Sequence, residues 1–288
     1  PPDALLVPAH VLPPLRPRCS LVTVHDLGYR HFPLTHPWLS RLYLDWSTRW
    51  NVHAASWVLA DSRATKEDVL RFYRADPARV VVAYPGRDEG LGRVDDPAVI
   101  EAAKQRYGIE GQYILYVGTL QPRKNLARLI EAYSNIKSQI SNRKYQIVLV
   151  LAGKKGWLYR DLFEQVRRLG LEGQVIFPGY VAEEDKAALL SGAAAAAFPS
   201  LYEGFGFPAL EALQCGAPLV CSNSSSLPEV AGHAALLVDP LDVDGIAGAL
   251  VRVIADEGLR WELVKRGYEQ AGHFSWQACA RTVLGLLE

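Results

Sequence analysis

Glu203 and Glu211 stand eight positions apart in "EGFGFPALE", with Gly204, Gly206 and Pro208 between them. A carboxylate accepts two hydrogen bonds side by side, which suits the vicinal diol of a ribose or a hexose. Glycines let backbone N–H groups approach an anion, and the start of a helix adds partial positive charge. Pro208 fits the first position of such a helix, where its missing N–H costs nothing. Glu211 then falls in the first turn. The stretch reads as a seat for a pyrophosphate with a sugar at each end, one acid for each sugar. Alone, the pair would more readily be a loop acid and a helix-start acid complementing the dipole. Arg123 and Lys124 in "PRKN" are candidate partners for a diphosphate; the plainer reading is a solvated turn before a helix capped by Asn125. His25 closes the apolar run "VTVHD". With His31 and His36 it has spacings of six and five, which fit no helical metal site, and those two are expected at the surface.

The elements that must position these residues are visible as apolar runs. From residue 113 they are "YILYVG", "QIVLVLAG", "VIFPG", "AAAAAFPS", "PLVCS" and "ALLVD". Continuous rather than alternating hydrophobicity marks strands buried on both faces. The alanine run favours helix by propensity, but its short length and the following Pro-Ser predict a strand. Between the runs, "NLARLIEAYSNIK" places Leu126, Leu129, Ile130 and Tyr133 on one helical face. "YRDLFEQVRRLG", "EEDKAALLSG" and "PALEALQCG" are further helices. Upstream, "SLVTVHD", "SWVLADS" and "RVVVAYPG" are three more buried strands. The alternation predicts an α/β chain of two Rossmann-like, doubly wound parallel-sheet domains, the first one incomplete. Residues 1–98 are the partial first domain, 99–270 the second, and 271–288 a helix crossing back to the first; residues 87–110 read as a linker. Trp38, Tyr43 and Trp46 form an aromatic cluster, expected in the core ahead of an outward, lipid-facing role.

Bulk properties narrow the classes. The 288 residues carry 31 Lys+Arg against 31 Asp+Glu, without the basic excess of a nucleic-acid binder. Cys19, Cys215, Cys221 and Cys279 have no zinc spacing and are expected as reduced, mostly buried thiols of a cytoplasmic protein. No apolar run approaches the ~20 residues of a membrane span. The chain has no methionine and opens on "PPDALLVPAHVLPP", so a fragment of a longer protein is expected.

The motifs "YVGTLQPRKN" (116–125), "VIFPGYVAEED" (175–185), "FPSLYEGFGFPALEALQCGAPLVCSN" (198–223) and "LPEVAGHAALLVDP" (227–240), in this order, resemble those of the retaining glycosyltransferases of family 4, which have the GT-B fold. The resemblance implies a hexosyltransferase using a nucleoside-diphosphate sugar, such as UDP-glucose or GDP-mannose, and a saccharide or lipid-linked saccharide acceptor. No cofactor and no metal are expected, since no acidic DxD cluster stands at a strand end. On this resemblance Glu211 binds the ribose, and Glu203 lies near the donor hexose with the amides of Gly204, Phe205 and Gly206. Lys124 neutralises the diphosphate. Relatives often carry an arginine after the glycine of "VG"; this chain has Thr119 after Gly118, so Arg123 is expected to supply the second cation. His25 matches the family's cleft histidine. Gly118, Thr119, Val181 and Phe207 are expected to touch the donor, and Gly86 of "AYPGRD" is given a minor donor-facing role. Asp26 is expected to be a structural loop acid. The expected course is front-face attack with retention, at a cytoplasmic or inner-membrane-face location with peripheral membrane contact through the first domain. Two other readings stay open: a non-hydrolysing nucleotide-sugar epimerase, and a binding-only nucleotide-sugar fragment.

Overall fold

The structure is a computed structural model describing residues 2–9, 11–33, 37–139, 147–156 and 159–287; His36 lies outside them. The chain divides into two compact units. The first comprises Pro1–Arg87, Tyr202–Gly206 and Phe274–Glu288, the second Asp88–Leu201 and Phe207–His273.

The first unit is built on four parallel strands in chain order: β1 (Ala4–Val7), β2 (Cys19–Val24), β3 (Trp57–Ala60) and β4 (Val80–Val82). Strand alternation sends side chains to opposite faces. Val22, Val24, Val58 and Ala60 pack on one side with Tyr29, Val52, Val69 and Tyr73. These come from the helices α1 (Gly28–His31), α2 (Trp38–Ala54) and α3 (Arg63–Tyr73). On the other side Leu21, Leu59 and Ala83 meet Cys279, Val283, Leu286 and Leu287, most of them on or just past the C-terminal helix Trp276–Leu284. Each fully buried leucine of this kind contributes about 2 kcal/mol. Strand β1 was not foreseen, because four apolar residues between prolines show no period to read.

Trp38, Tyr43 and Trp46 correct an expectation. They are 64%, 57% and 59% exposed. Helix α2 buries Ser47, Asn51 and Val52 instead, so the aromatic stripe lies on its outer side.

The second unit carries six parallel strands: β5 (Gln112–Val117), β6 (Ile147–Ala152), β7 (Val175–Gly179), β8 (Ala195–Phe198), β9 (Leu219–Ser222) and β10 (Ala235–Val238), in the order β10-β9-β8-β5-β6-β7. The first three run outward one way from β5 and the last three the other way, which is the doubly wound Rossmann order. The alanine run is strand β8, buried throughout. Burial on both faces outweighs the helical propensity of alanine. The segment expected as a linker holds a helix, α4 (Pro97–Arg106), capped by Asp96, whose carboxylate accepts the Ala98 N–H at 2.8 Å. The other helices are α5 (Leu126–Gln139), α6 (Arg160–Arg168), α7 (Glu183–Ser191), α8 (Phe207–Gln214), α9 (Leu227–Ala231), α10 (Val243–Ala255) and α11 (Glu257–Gly272), which makes the C-terminal helix α12.

Candidate functional site

In a doubly wound sheet the ligand crevice opens at the carboxyl ends of the two strands where the winding reverses. In the second unit those strands are β5 and β8. The loop after β5 starts at Gly118, whose φ of 150° favours glycine. Its carbonyl sits so near Gly153 that a Cβ there would lie 1.9 Å from it. Gly153 also donates to Gly179 O at 2.7 Å, so the ends of β5, β6 and β7 are stitched by backbone alone. Thr119 is exposed and Val181 is buried.

"PRKN" folds as a 3-10 turn, Pro122–Lys124, followed by Asn125 at φ 61°. Asn125 acts differently from the expected cap. Its Nδ2 donates to Pro199 O at 3.0 Å and Pro240 O at 2.6 Å, tying this turn to the segments leaving β8 and β10. Leu201 N–H donates to Arg123 O at 2.8 Å, and Ser222 Oγ to Ser200 O at 2.6 Å. The turn bearing the two cations is thus pinned to the loop after β8. Lys124 is buried and Arg123 half-buried.

Helix α8 begins at Phe207, one residue earlier than expected, with Gly206 before it at φ 112°. Pro208 is therefore its second residue and Glu211 its fifth, one turn in. Glu211 Oε1 accepts from Lys186 Nζ at 2.8 Å, and the same amine reaches Glu183 Oε2 at 2.7 Å. Burial pushes the Glu211 carboxyl up; the Lys186 ammonium pulls it back, and Glu183 and Asp88 add to the rise. Burial works against the Lys186 charge, but its bonds to Glu183 and Glu211 leave its pKa raised. Sequence reasoning missed Lys186, because "EEDKAALL" reads as a solvated helix start.

In the first unit, the loop Tyr202–Gly206 is held over the end of β2. A Cβ on Gly204 would stand 2.3 Å from His25 O and 2.6 Å from Asp26 Cβ, so only glycine fits. Ser62 Oγ and Thr65 Oγ1 donate to Gly204 O at 2.6 and 3.1 Å. Tyr202 donates its hydroxyl to Asp68 at 2.9 Å and accepts the Leu27 N–H. His31 is exposed, as expected, and bonds Asp68 at 2.8 Å and stacks on Tyr202. Phe205 packs with Tyr84 and Phe274. Glu203 is buried at 7% exposure; Phe207, in the second unit, is 43% exposed.

His25 Nδ1 lies 2.8 Å from Asp61 Oδ2, and Nε2 lies 2.8 Å from Pro8 O. The bond to Asp61 is the main cause of a raised pKa. Asp26 accepts the Gly28 N–H at 2.8 Å, a local turn bond. Gly86 has a packing reason of its own: a Cβ there would meet Trp276 N at 2.2 Å. All four cysteines are unpaired, and burial pushes Cys215 and Cys221 up to about 12.

Two Rossmann-like units, with loops of this design at the reversal of the larger sheet, define a GT-B glycosyltransferase. The model of glycosyl transferases group 1 matches residues 99–270, and that of glycosyltransferase family 4 matches residues 3–91. An O-antigen chain mannosyltransferase B from Escherichia coli is 35% identical over 268 residues, 92% of this chain and 69% of that protein. A serotype-specific mannosyltransferase WbdA from Escherichia coli is 32% identical over 79% of this chain, which spans 28% of it. The crystal structure of Anabaena HepE in complex with UDP and glucose superposes with a TM-score of 0.79 at 23% identity, over 94% of this chain and 71% of that one, a likeness of fold. The chain belongs to the glycosyl transferases group 1 family, an enzyme family of hexosyltransferases. Neither the epimerase nor the binding-only reading is favoured by these matches. Among the described residues, no helix is long and apolar enough to cross a membrane.

Proposed function

We propose that the chain carries out metal-independent transfer of a hexose, with retention, from a nucleoside-diphosphate sugar to a saccharide or lipid-linked saccharide. The observation that carries this reading is the reversal point of the second sheet. There the "PRKN" turn is pinned to the loop after β8, and Glu211 stands one turn into the helix that follows. Glu211 takes the ribose diol. Lys124, Arg123 and the N-terminus of α8 stabilise the charge on the departing diphosphate, the largest demand in such a transfer. The family resemblance gives Glu203 and the Gly204–Gly206 amides to the hexose, and within the first unit His25 lies beside the loop that carries them. The names of the two relatives support a mannosyl donor.

A panel of UDP, GDP, ADP, CDP and dTDP in a thermal melt tests the donor site. One nucleotide at 100 times its dissociation constant adds about 2.7 kcal/mol, and Glu211→Ala and Lys124→Ala should each abolish that shift. Proton NMR of the first product then reads its anomeric configuration, and turnover unchanged by EDTA is expected. An inverted product or an EDTA-sensitive rate would overturn those two parts. The exposed Trp38, Leu39, Leu42, Tyr43 and Trp46 of α2 support a further part of the proposal, peripheral contact of the first unit with a lipid surface.

A further inference from the structure

Lys186 is the fourth residue of α7, and its side chain is 11% exposed. A cation in the first turn of a helix opposes the helix dipole, and a buried ammonium loses its hydration. The acids Glu183, Glu184 and Asp185 occupy that turn in the expected sense. Lys186 alone contradicts it, so something beyond helix formation places it there. Its Nζ bridges Glu183 Oε2 at 2.7 Å and Glu211 Oε1 at 2.8 Å, and the Glu211 side chain is itself only 19% exposed. One oxygen of the Glu211 carboxylate is thus occupied by an ammonium held from a second helix.

We propose that Lys186 is a positioning residue for the donor nucleotide: it fixes the Glu211 carboxylate by one oxygen and keeps it ionised, leaving the other oxygen to receive the ribose hydroxyls. This rests on the reading of Glu211 as the ribose acid. Two hydroxyl donors require acceptor lone pairs, and a protonated carboxyl gives one of its sites over to an O–H. Among the described residues, Lys186 is the charge that favours the ionised form of this carboxyl. The other groups around it, Glu183 on α7 and Asp88 before α4, are acids that disfavour its ionised form. Cys215, just past the end of α8, is a buried thiol held neutral. Without the ammonium, the Glu211 carboxyl rises further.

The test is calorimetric titration of GDP and UDP into wild type, Lys186→Met, Lys186→Arg and Glu211→Gln, each from pH 6 to pH 8.5. The ratio of variant to wild-type dissociation constants cancels titration of the nucleotide's own phosphate. For Lys186→Met the ratio is expected to be largest at pH 6, about threefold or more where the variant carboxyl is displaced into that range, and to fall as pH rises toward 8.5. Lys186→Arg should bind like wild type. Glu211→Gln should be weak at every pH and no weaker when combined with Lys186→Met. A ratio near one throughout, or a constant ratio without pH dependence, overturns the proposal. Lys186→Gln, read in the same way, serves if Lys186→Met does not fold. Wild type that binds neither nucleotide overturns the donor-site reading and this inference with it; wild type that binds while Lys186→Met keeps full affinity sinks the inference alone.

Discussion

Both ring nitrogens of His25 meet acceptors, the Asp61 carboxylate and the Pro8 carbonyl, and a neutral imidazole has only one N–H to give. The doubly protonated ring satisfies both. Its pKa is raised from 6.5, so the stabilisation is fully present below that unfolded value and lost as pH rises through the folded one. With the side chain 58% exposed, solvent screening limits the gain to about 1 kcal/mol or less. An NMR titration should place the His25 midpoint above 6.5 and find it lower in Asp61→Asn; equal midpoints would refute the coupling. At this scale the sequence was partly legible. Glu203, Glu211 and Lys124 carry motif positions that stand out by type and spacing. Lys186 and Asn125 do not, because the partners that tie them to other elements lie 25 and 74 or more residues away along the chain, and no local pattern encodes such pairs.

The loops at the reversal of the second sheet depend on elements that approach by backbone. Gly153 illustrates this: its φ is 142° and its missing Cβ leaves room for Gly118 O. Gly153→Ala should cost about 3 kcal/mol or more, from overpacking and backbone strain together. Gly170→Ala meets nothing within 4 Å at φ 65° and should cost about 1 kcal/mol from handedness alone. Comparing the two denaturation midpoints checks that close approach, and not the dihedral, dominates; similar losses would contradict it. The buried strands of this unit were readable because parallel sheets demand unbroken apolar runs. Helix α4 was hidden by the Gly, Asp and Arg before it. Only Asp96-Pro97 marks its start, a cap and a first-turn proline. The alanine run of β8 was ambiguous until its surroundings decided it.

Across the whole molecule, the aromatic side of α2 is the clearest departure from what composition leads one to expect. Trp38, Leu39, Leu42, Tyr43 and Trp46 recur at helical spacing and are all more than half exposed; Arg49, one turn beyond Trp46, is also exposed. Vesicles of phosphatidylglycerol with phosphatidylethanolamine should sediment the chain, and Leu42→Ser with Trp46→Ser should release it, because rings and leucines of this kind settle at the headgroup boundary. Equal sedimentation of both proteins would remove the lipid-surface proposal and leave the donor site untouched. The two units have a connectivity that bears on how the protein can be taken apart. The backbone passes between them at Arg87–Asp88, Leu201–Tyr202, Gly206–Phe207 and His273–Phe274. A single protease cut at the first of these leaves the second unit whole in the larger fragment and divides the first. The larger fragment also keeps Tyr202–Gly206 and the C-terminal helix, parted from the strands on which they pack, so it carries a surface that the smaller fragment can cover again on mixing.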